Sequence, residues 1–401
     1  MRIVIVGGSF GGLTVAFELR KILSRSRLEI TVISKDENFV FIPSLPWVAM
    51  GEKTIGQISF GLERPLSKQR IDFVRDAVVR IDPGKQTVIT DRGEYQYDYL
   101  VIATGHRSAN EAVPGLGPFD GPGHSLMSPP EAIEAGEALK HFLENPGPVV
   151  AGCAPGASCI GPAYEFAFEL DQLLRRMKMR HKVPITFITP EPFLGHFGVG
   201  GMGKVRQMLE AEFDGREIRY QTSSAISKIT DSSVELSDGQ AFASNYSLII
   251  PPLAGVRGVA DSPGLANPKG FIPVDEHYRH KEFQNIYAVG VAVAFPPVDV
   301  TPIPVNFPKT AHMTSQMARM AAKNIAADIN GGEKQSHALF TECIMDMGNG
   351  AAHMVADPVR PPRNISRISE GRRWLWAKRM FANYYLWNAK RGRMVGGGRG
   401  W

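Results

Sequence analysis

Cysteine is scarce in this chain: three among 401 residues, at Cys153, Cys159 and Cys343. So few, so unevenly spaced, exclude a structural disulfide framework and a zinc site, and no other metal centre is expected. As small buried hydrophobes they need no further role. No apolar run approaches the length of a membrane-spanning helix, so the chain is not expected to cross a bilayer. No secretory signal stands before the first strand, which begins at residue 2; the cytoplasmic side is the expectation. Acidic residues are missing from residues 371–401, which hold eight Lys and Arg. Taking those eight from the 45 basic residues leaves 37 against 40 acidic ones, so the formal charge of +5 belongs to the tail. A basic tail of this kind meets a membrane surface, a nucleic acid or an acidic partner.

What is present begins at the N-terminus. Arg2-Ile3-Val4-Ile5-Val6 runs into Gly7-Gly8-Ser9-Phe10-Gly11-Gly12, and Leu13 to Leu23 has the apolar spacing of a helix. Strand, glycine turn and helix start make the first βα unit of a dinucleotide-binding fold. The turn lets backbone N–H groups approach a pyrophosphate, and the helix dipole favours its charge. The spacing is Gly7-x-Ser9-x-x-Gly12, with Ser in the middle position, small enough for a near approach. A second strand, Glu29 to Ile33, ends at Ser34, where an acidic ribose ligand is usual; Asp36 and Glu37 follow. Phe39 to Trp47 is apolar but, with Pro43 and Pro46, is expected to lack regular structure. It packs either against a cofactor or into the core.

Strands are expected at Ile71–Val74, Val78–Ile81, Val88–Thr90 and Tyr95–Tyr97, the last two flanking an Asp91-Arg92-Gly93 turn. The buried run from Tyr97 closes on Ala103-Thr104-Gly105, which resembles the internal signature of flavoproteins with two dinucleotide-binding domains. Gly115 to Gly123 reads as a linker and Pro129 to Leu143 as a helix. Pro148 to Gly152 then starts a second βα unit whose turn, Gly152 to Cys159, is a degraded glycine motif. Glu191, after Ile185–Ile188, is an isolated candidate for a ribose ligand, and this unit is read as one that no longer binds NADH. Pro162 suits a helix's first turn, which sets Cys159 at the start of a helix from Ala163 to Arg180 and predicts a lowered thiol pKa there. Asn285-Ile286-Tyr287-Ala288-Val289-Gly290 resembles the closing FAD motif of the same flavoproteins, with Val291 where an Asp is usual. Pro308-Lys309-Thr310 opens a helix to about Ile329, with Lys309 in its first turn, facing either a flavin or solvent.

In the tail, Trp376, Met380, Tyr384 and Trp387 fall at helical spacing, as do Trp374, Phe381 and Tyr385; Trp401 ends the chain. A basic helix rich in Trp and Tyr suits a membrane interface. A dimer-interface helix is the competing reading, which leaves a homo-oligomer open. Nucleic acid finds no other support in the chain.

Taken together, these residues resemble the sulfide:quinone oxidoreductases over nearly the whole chain. The resemblance is carried by Phe41-Ile42-Pro43-Ser44-Leu45-Pro46-Trp47, by Gly156-Ala157-Ser158-Cys159-Ile160-Gly161-Pro162-Ala163-Tyr164-Glu165 and by Gly195-His196-Phe197-Gly198. Val274-Asp275-Glu276-His277, Pro302-Ile303-Pro304, Pro308-Lys309-Thr310, the Cys343 segment and the aromatic, basic tail complete it. It implies two Rossmann-like α/β domains, the second inserted in the first: residues 1–112 and 268–330 around FAD, 113–267 as the second unit, and 331–401 as an amphipathic membrane- and quinone-binding region. It implies FAD near Gly7, Gly8, Ser9, Phe10, Gly11, Gly12, Ser34, Lys35, Pro43, Val78, Ala103, Thr104, Gly105, Gly290 and Lys309.

The same resemblance implies a redox pair, Cys159 and Cys343, with Cys343 nearer the flavin. Glu165 and His196 are candidates to move protons, each equally a structural polar residue. Phe41, Ile344 and Phe381 are expected around a quinone, with Lys378 assisting its protonation. Two departures stand out: Met127 replaces a third family cysteine, so FAD is expected to be held without a covalent link, and Glu131 lies near the place of a family histidine. The implied activity is oxidation of sulfide to zero-valent sulfur or polysulfide by a peripheral, monotopic enzyme of the membrane surface. A type II NADH:quinone oxidoreductase shares the fold, FAD and tail; a flavoprotein subunit feeding a cytochrome is the reading from another class.

Overall fold

Four consecutive β-formers with no polar interruption make a strand buried on both faces, and Ile3 to Val6 are all buried. A computed structural model describes the chain except for residues 24–27, 119–120 and 397–401, so Trp401 lies outside the described residues. In chain order the first unit is β1 (Arg2–Val6), α1 (Phe10–Ile22), β2 (Glu29–Ser34), α2 (Leu45–Ala49), β3 (Asp72–Arg75) and β4 (Tyr99–Ile102). A second unit follows: β5 (Gly123–His124), α3 (Pro129–Glu144), β6 (Val149–Cys153), α4 (Gly161–Arg176), β7 (Ile185–Ile188), α5 (Val205–Gly215), β8 (Ile218–Gln221) and β9 (Tyr246–Ile250). The chain then returns with β10 (Ile286–Ala288) and α6 (Ala311–Asn330), and ends in β11 (Thr341–Asp346), β12 (Ala351–Asp357), β13 (Ile365–Gly371) and α7 (Arg372–Ala389).

The first two units share one plan. The first sheet has the order β10-β4-β1-β2-β3 and the second β5-β9-β6-β7-β8, and each ladder in both is parallel. Parallel sheets of this kind put their ligands outside the carboxyl ends of the strands. For β1 that end is the glycine turn. Between β3 and β4 lies the expected meander of Val78–Asp82, Thr87–Thr90 and Glu94–Gln96. The last three strands form an antiparallel sheet on which α7 rests.

The structure corrects three local expectations. Phe39–Trp47 is regular: Asn38–Val40 pairs with Ser59–Gly61, and Ile42–Ser44 and α2 are short helices. Pro43 and Pro46 each sit in a helix's first turn, where the missing N–H would have had no partner anyway. The helix expected over 163–180 stops at Arg176, because Lys178 adopts φ +58°, and Arg180–Lys182 forms a separate turn. Lys309 lies before α6, not in its first turn; Thr310 caps that helix, its hydroxyl accepting from the Met313 N–H.

Candidate active site

The glycine turn is held by close approach. Gly7 has φ +112°, and a Cβ there would meet the Ala103 carbonyl oxygen at 2.2 Å; a Cβ on Gly12 would meet the Gly7 carbonyl oxygen at 1.9 Å. Both positions are therefore closed to any larger residue. Ser9 precedes α1 without a side-chain cap, and the helix's first turn carries no acidic residue. The helix start thus supplies no anion to its own first N–H groups, as suits a pyrophosphate site. Ser34 lies beside Gly8, where an added Cβ would meet its Oγ at 3.1 Å. Lys35 is exposed next to it, and Val78 stands at the start of the meander. Ala103, Thr104 and Gly105 (φ +73°) follow β4, and Gly290 (φ +72°) follows β10, against Thr314 of α6. The cradle fits a dinucleotide whose pyrophosphate meets the start of α1.

Beside this cradle is a cavity of about 290 Å³ that gathers residues from distant parts of the chain. Phe10, Phe41, Pro43, Cys159, Glu165, Lys309, Cys343, Ile344, Lys378 and Phe381 all line it. Its aromatic wall is continuous: Phe41 lies 5.7 Å from Phe10, 5.0 Å from Tyr385 and 6.5 Å from Phe381, centre to centre. The inner face of α7 is thereby packed onto the residue that opens α1. His196 does not reach the cavity. It is buried, its Nε2 lies 3.0 Å from the Asp299 carboxylate, and its Nδ1 accepts the Gly198 N–H. It braces a loop whose Phe197 and Val199 touch the cavity instead.

The three cysteines are free thiols. Cys159 and Cys343 are half-buried because the cavity reaches them, although protein encloses them. Burial pushes the Cys159 thiol up to about 11, with the Glu165 charge adding to it. Burial likewise pushes Cys343 up to about 12, again helped by Glu165 and opposed by Lys378. The lowered pKa expected for Cys159 is thus reversed: α4 begins two residues later, and desolvation of the thiolate outweighs the helix dipole. Cys153 is fully buried and is not part of this cavity's lining.

Glu165 and Lys378 form an ion pair at the edge of the cavity. Glu165 Oε1 also accepts the Asp346 N–H at 2.8 Å, and Asp346 Oδ2 accepts from Trp47 Nε1 at 2.9 Å. Lys378 lies 5.3 Å over the Trp47 ring. Burial works against the Lys378 charge, but Glu165, Asp346 and Glu169 outweigh it and hold the ammonium above its usual range. Lys309 is brought down to about 7 by burial. It donates to the Val291 and Val293 carbonyls at 3.0 and 2.8 Å, so it pins the chain after Gly290 rather than standing free in solvent.

The sequence reading missed His106, which follows the Ala-Thr-Gly signature and lines the cavity; burial, and then Lys309, lower it to about 4. Its place beside that signature was the available signal. Glu169 and Asp346, one helical turn from Glu165 and three residues from Cys343, were missed as well. Met127, where the resemblance led us to look for a cysteine, does line the cavity.

The second glycine turn is filled by the chain itself. Gly156 N–H donates to the Pro304 carbonyl at 2.7 Å, and Asn306 Nδ2 donates to the Gly156 carbonyl at 2.6 Å. Glu191 is buried and spent on Tyr164 Oη, Thr189 Oγ1 and the Phe197 N–H, so it is not free to hold a ribose. On α7 the expected two faces are present. Trp376, Met380, Tyr384 and Trp387 are 66, 68, 54 and 52 % exposed, while Ala382, Tyr385 and Leu386 are buried. Among the described residues no helix is long and apolar enough to cross a membrane.

A dinucleotide-binding unit with an open glycine turn, a second unit of the same topology whose turn is filled, and a cysteine-lined cavity beside the first define a dinucleotide-dependent oxidoreductase. Residues 1–322 match the pyridine nucleotide-disulphide oxidoreductase family. The sulfide-quinone reductase of Aquifex aeolicus is 38% identical over 98% of this chain and 92% of its own length. The X-ray structure of the sulfide:quinone oxidoreductase from that bacterium superposes with a TM-score of 0.94 at 37% identity, over 98% of this chain and 92% of that one. The type II NADH:quinone oxidoreductase of Staphylococcus aureus is 24% identical over 89% of this chain and 90% of its own length. This chain belongs to the sulfide-quinone reductase family, and its cofactor is FAD.

Proposed function

We propose that the protein oxidises sulfide to zero-valent sulfur or polysulfide and passes the electrons through Cys159, Cys343 and FAD to a membrane quinone. The observation that carries this reading is the meeting of two cysteines, 184 positions apart, in one cavity beside the start of α1. In the oxidised enzyme the two sulfurs form the disulfide or sulfur-bridged pair. Hydrosulfide attacks one sulfur; the S–S bond breaks, a persulfide forms on that cysteine, and the other leaves as a thiolate. A thiol of high pKa is a poor leaving group, so a proton donor is needed beside it. The Glu165–Lys378 pair is placed to give that proton from its ammonium and to steady the charge. FAD, when bound, accepts the electron pair and hands it to the quinone.

The backbone of Gly8 to Gly12 would hold the FAD pyrophosphate, Ser34 and Lys35 the ribose end, and Val78 the adenine. Thr104, Gly105, Gly290 and Lys309 would border the flavin, with Met127 offering no thiol for a covalent link. Phe41, Ile344 and Phe381 would receive the quinone ring, with Lys378 at its oxygen. His196 serves as a positioning residue in this account. The domain division at residues 112, 267 and 330 and attachment to the cytoplasmic membrane surface through α7 belong to the same reading.

Sulfide-dependent reduction of a short-chain ubiquinone tests it. The wild type should turn over, and Cys159→Ser and Cys343→Ser should each fall to background. Turnover with NADH and not sulfide would make the protein a type II NADH:quinone oxidoreductase. Reduction of a cytochrome with no reduction of quinone would favour the flavoprotein-subunit reading.

A further inference from the structure

Glu169 lies on α4 one turn beyond Glu165. It is 4 % exposed, and neither of its carboxylate oxygens has a hydrogen-bond partner. An ionised carboxylate so placed costs several kcal/mol, whereas a protonated one does not. The charged groups facing it are Glu165 on its own helix, Asp346 of β11, Lys378 of α7 and Glu52 in the turn after α2. Lys378 is already paired with Glu165, and Asp346 is occupied by Trp47 and by the Gly348 N–H. Glu169 is therefore left without a counter-ion. Burial, and then the charges of Asp346 and Glu165, push its carboxyl well above the usual carboxylate range.

Its position along α4 gives this proton somewhere to go. Glu165 lines the central cavity. Three residues past Glu169, Gln172 borders a surface cleft with Asn349, Arg372 and Arg379, all exposed. From Glu165 to Gln172 the helix rises about 10 Å, and Glu169 stands between the two ends. A packing role would be served by an apolar or amide side chain.

We infer that Glu169 is a proton relay running along α4 from the cleft at Gln172 to the Glu165–Lys378 pair, supplying a proton for quinone reduction. Conversion of a quinone to a quinol takes two electrons and two protons. The electrons come from the sulfide oxidation proposed above, on which this inference rests. One proton is the one that hydrosulfide gives up as it is oxidised to zero-valent sulfur; the other leaves the Glu169 carboxyl, passes to the Glu165–Lys378 pair and then to a quinone oxygen. The Glu169 O–H bond breaks, a quinol O–H bond forms, and Glu169 takes a new proton from water in the cleft.

The test uses the full-length, FAD-loaded protein reduced anaerobically with dithionite and mixed with a short-chain ubiquinone. Flavin reoxidation should be about 10²-fold slower in Glu169→Gln, with much of the rate restored in Glu169→Asp. In the wild type the rate should fall as pH rises through the elevated Glu169 pKa, and this inflection should be absent from Glu169→Gln. Infrared spectra at neutral pH should show the C=O stretch of a protonated carboxylic acid, lost in Glu169→Gln. Unchanged reoxidation in that variant, or no such band in the wild type, would overturn the relay. Dithionite bypasses sulfide, so failure of sulfide to bleach the wild-type flavin would overturn the sulfide reading alone, while reoxidation and the infrared band still decide the relay.

Discussion

Burial decides the chemistry of the two cavity cysteines. With pKa values of about 11 for Cys159 and about 12 for Cys343, the reduced enzyme holds thiols at neutral pH. Alkylation by iodoacetamide at pH 8 should therefore be about 10²-fold slower at Cys159 and about 10³-fold slower at Cys343 than for a free thiol. The rate should rise about tenfold per pH unit toward pH 11, because only the thiolate reacts; a plateau below pH 9 would contradict this. The position of Cys159 near a helix start was legible in the sequence, but the depth of the cavity was not, and the thiol shift took the opposite sign. Glu169 was missed for a related reason: in an amphipathic helix an acidic residue reads as solvent-facing until the elements covering it are known. Gly12 was fully legible. Gly12→Ala, with its Cβ 1.9 Å from the Gly7 oxygen, should cost about 1–3 kcal/mol and give a protein depleted in flavin, as read by thermal melting and the visible spectrum.

Among the elements, α7 has the clearest division of labour. One face closes the cavity with Lys378, Phe381 and Tyr385, and the other exposes Trp376, Met380, Tyr384 and Trp387. The 3.6-residue periodicity announced both faces; which one turned inward followed from the cavity it closes. Replacing Trp376 and Trp387 by Ser should remove about 2 kcal/mol of membrane affinity per residue. Sedimentation with anionic liposomes should drop accordingly, and high salt should weaken wild-type binding by screening the basic residues. Undiminished sedimentation of the double variant would assign the stripe to another partner. The segment before α2 shows a limit of composition: two prolines suggested irregular chain, yet both stand in first turns, where proline is harmless.

At the scale of the whole molecule, one topology is used twice for two purposes. The first sheet keeps an open glycine turn at α1, while the second has its turn occupied by Pro304 and Asn306. The spoiled spacing after Gly152 was visible in the sequence; the segment that fills the turn came from 150 residues away and was not. The convergence of Cys159, Cys343, Glu165 and Lys378 likewise depends on long-range folding, and only the family resemblance pointed to it. The occupied second turn predicts that NADH will not reduce the flavin. The most direct measurement is anaerobic flavin absorbance during titration with sulfide, and separately with NADH, on the wild type and on Cys343→Ala. The account predicts bleaching of the wild type by sulfide alone and none in the variant. Bleaching by NADH, or sulfide bleaching that survives in Cys343→Ala, would contradict it.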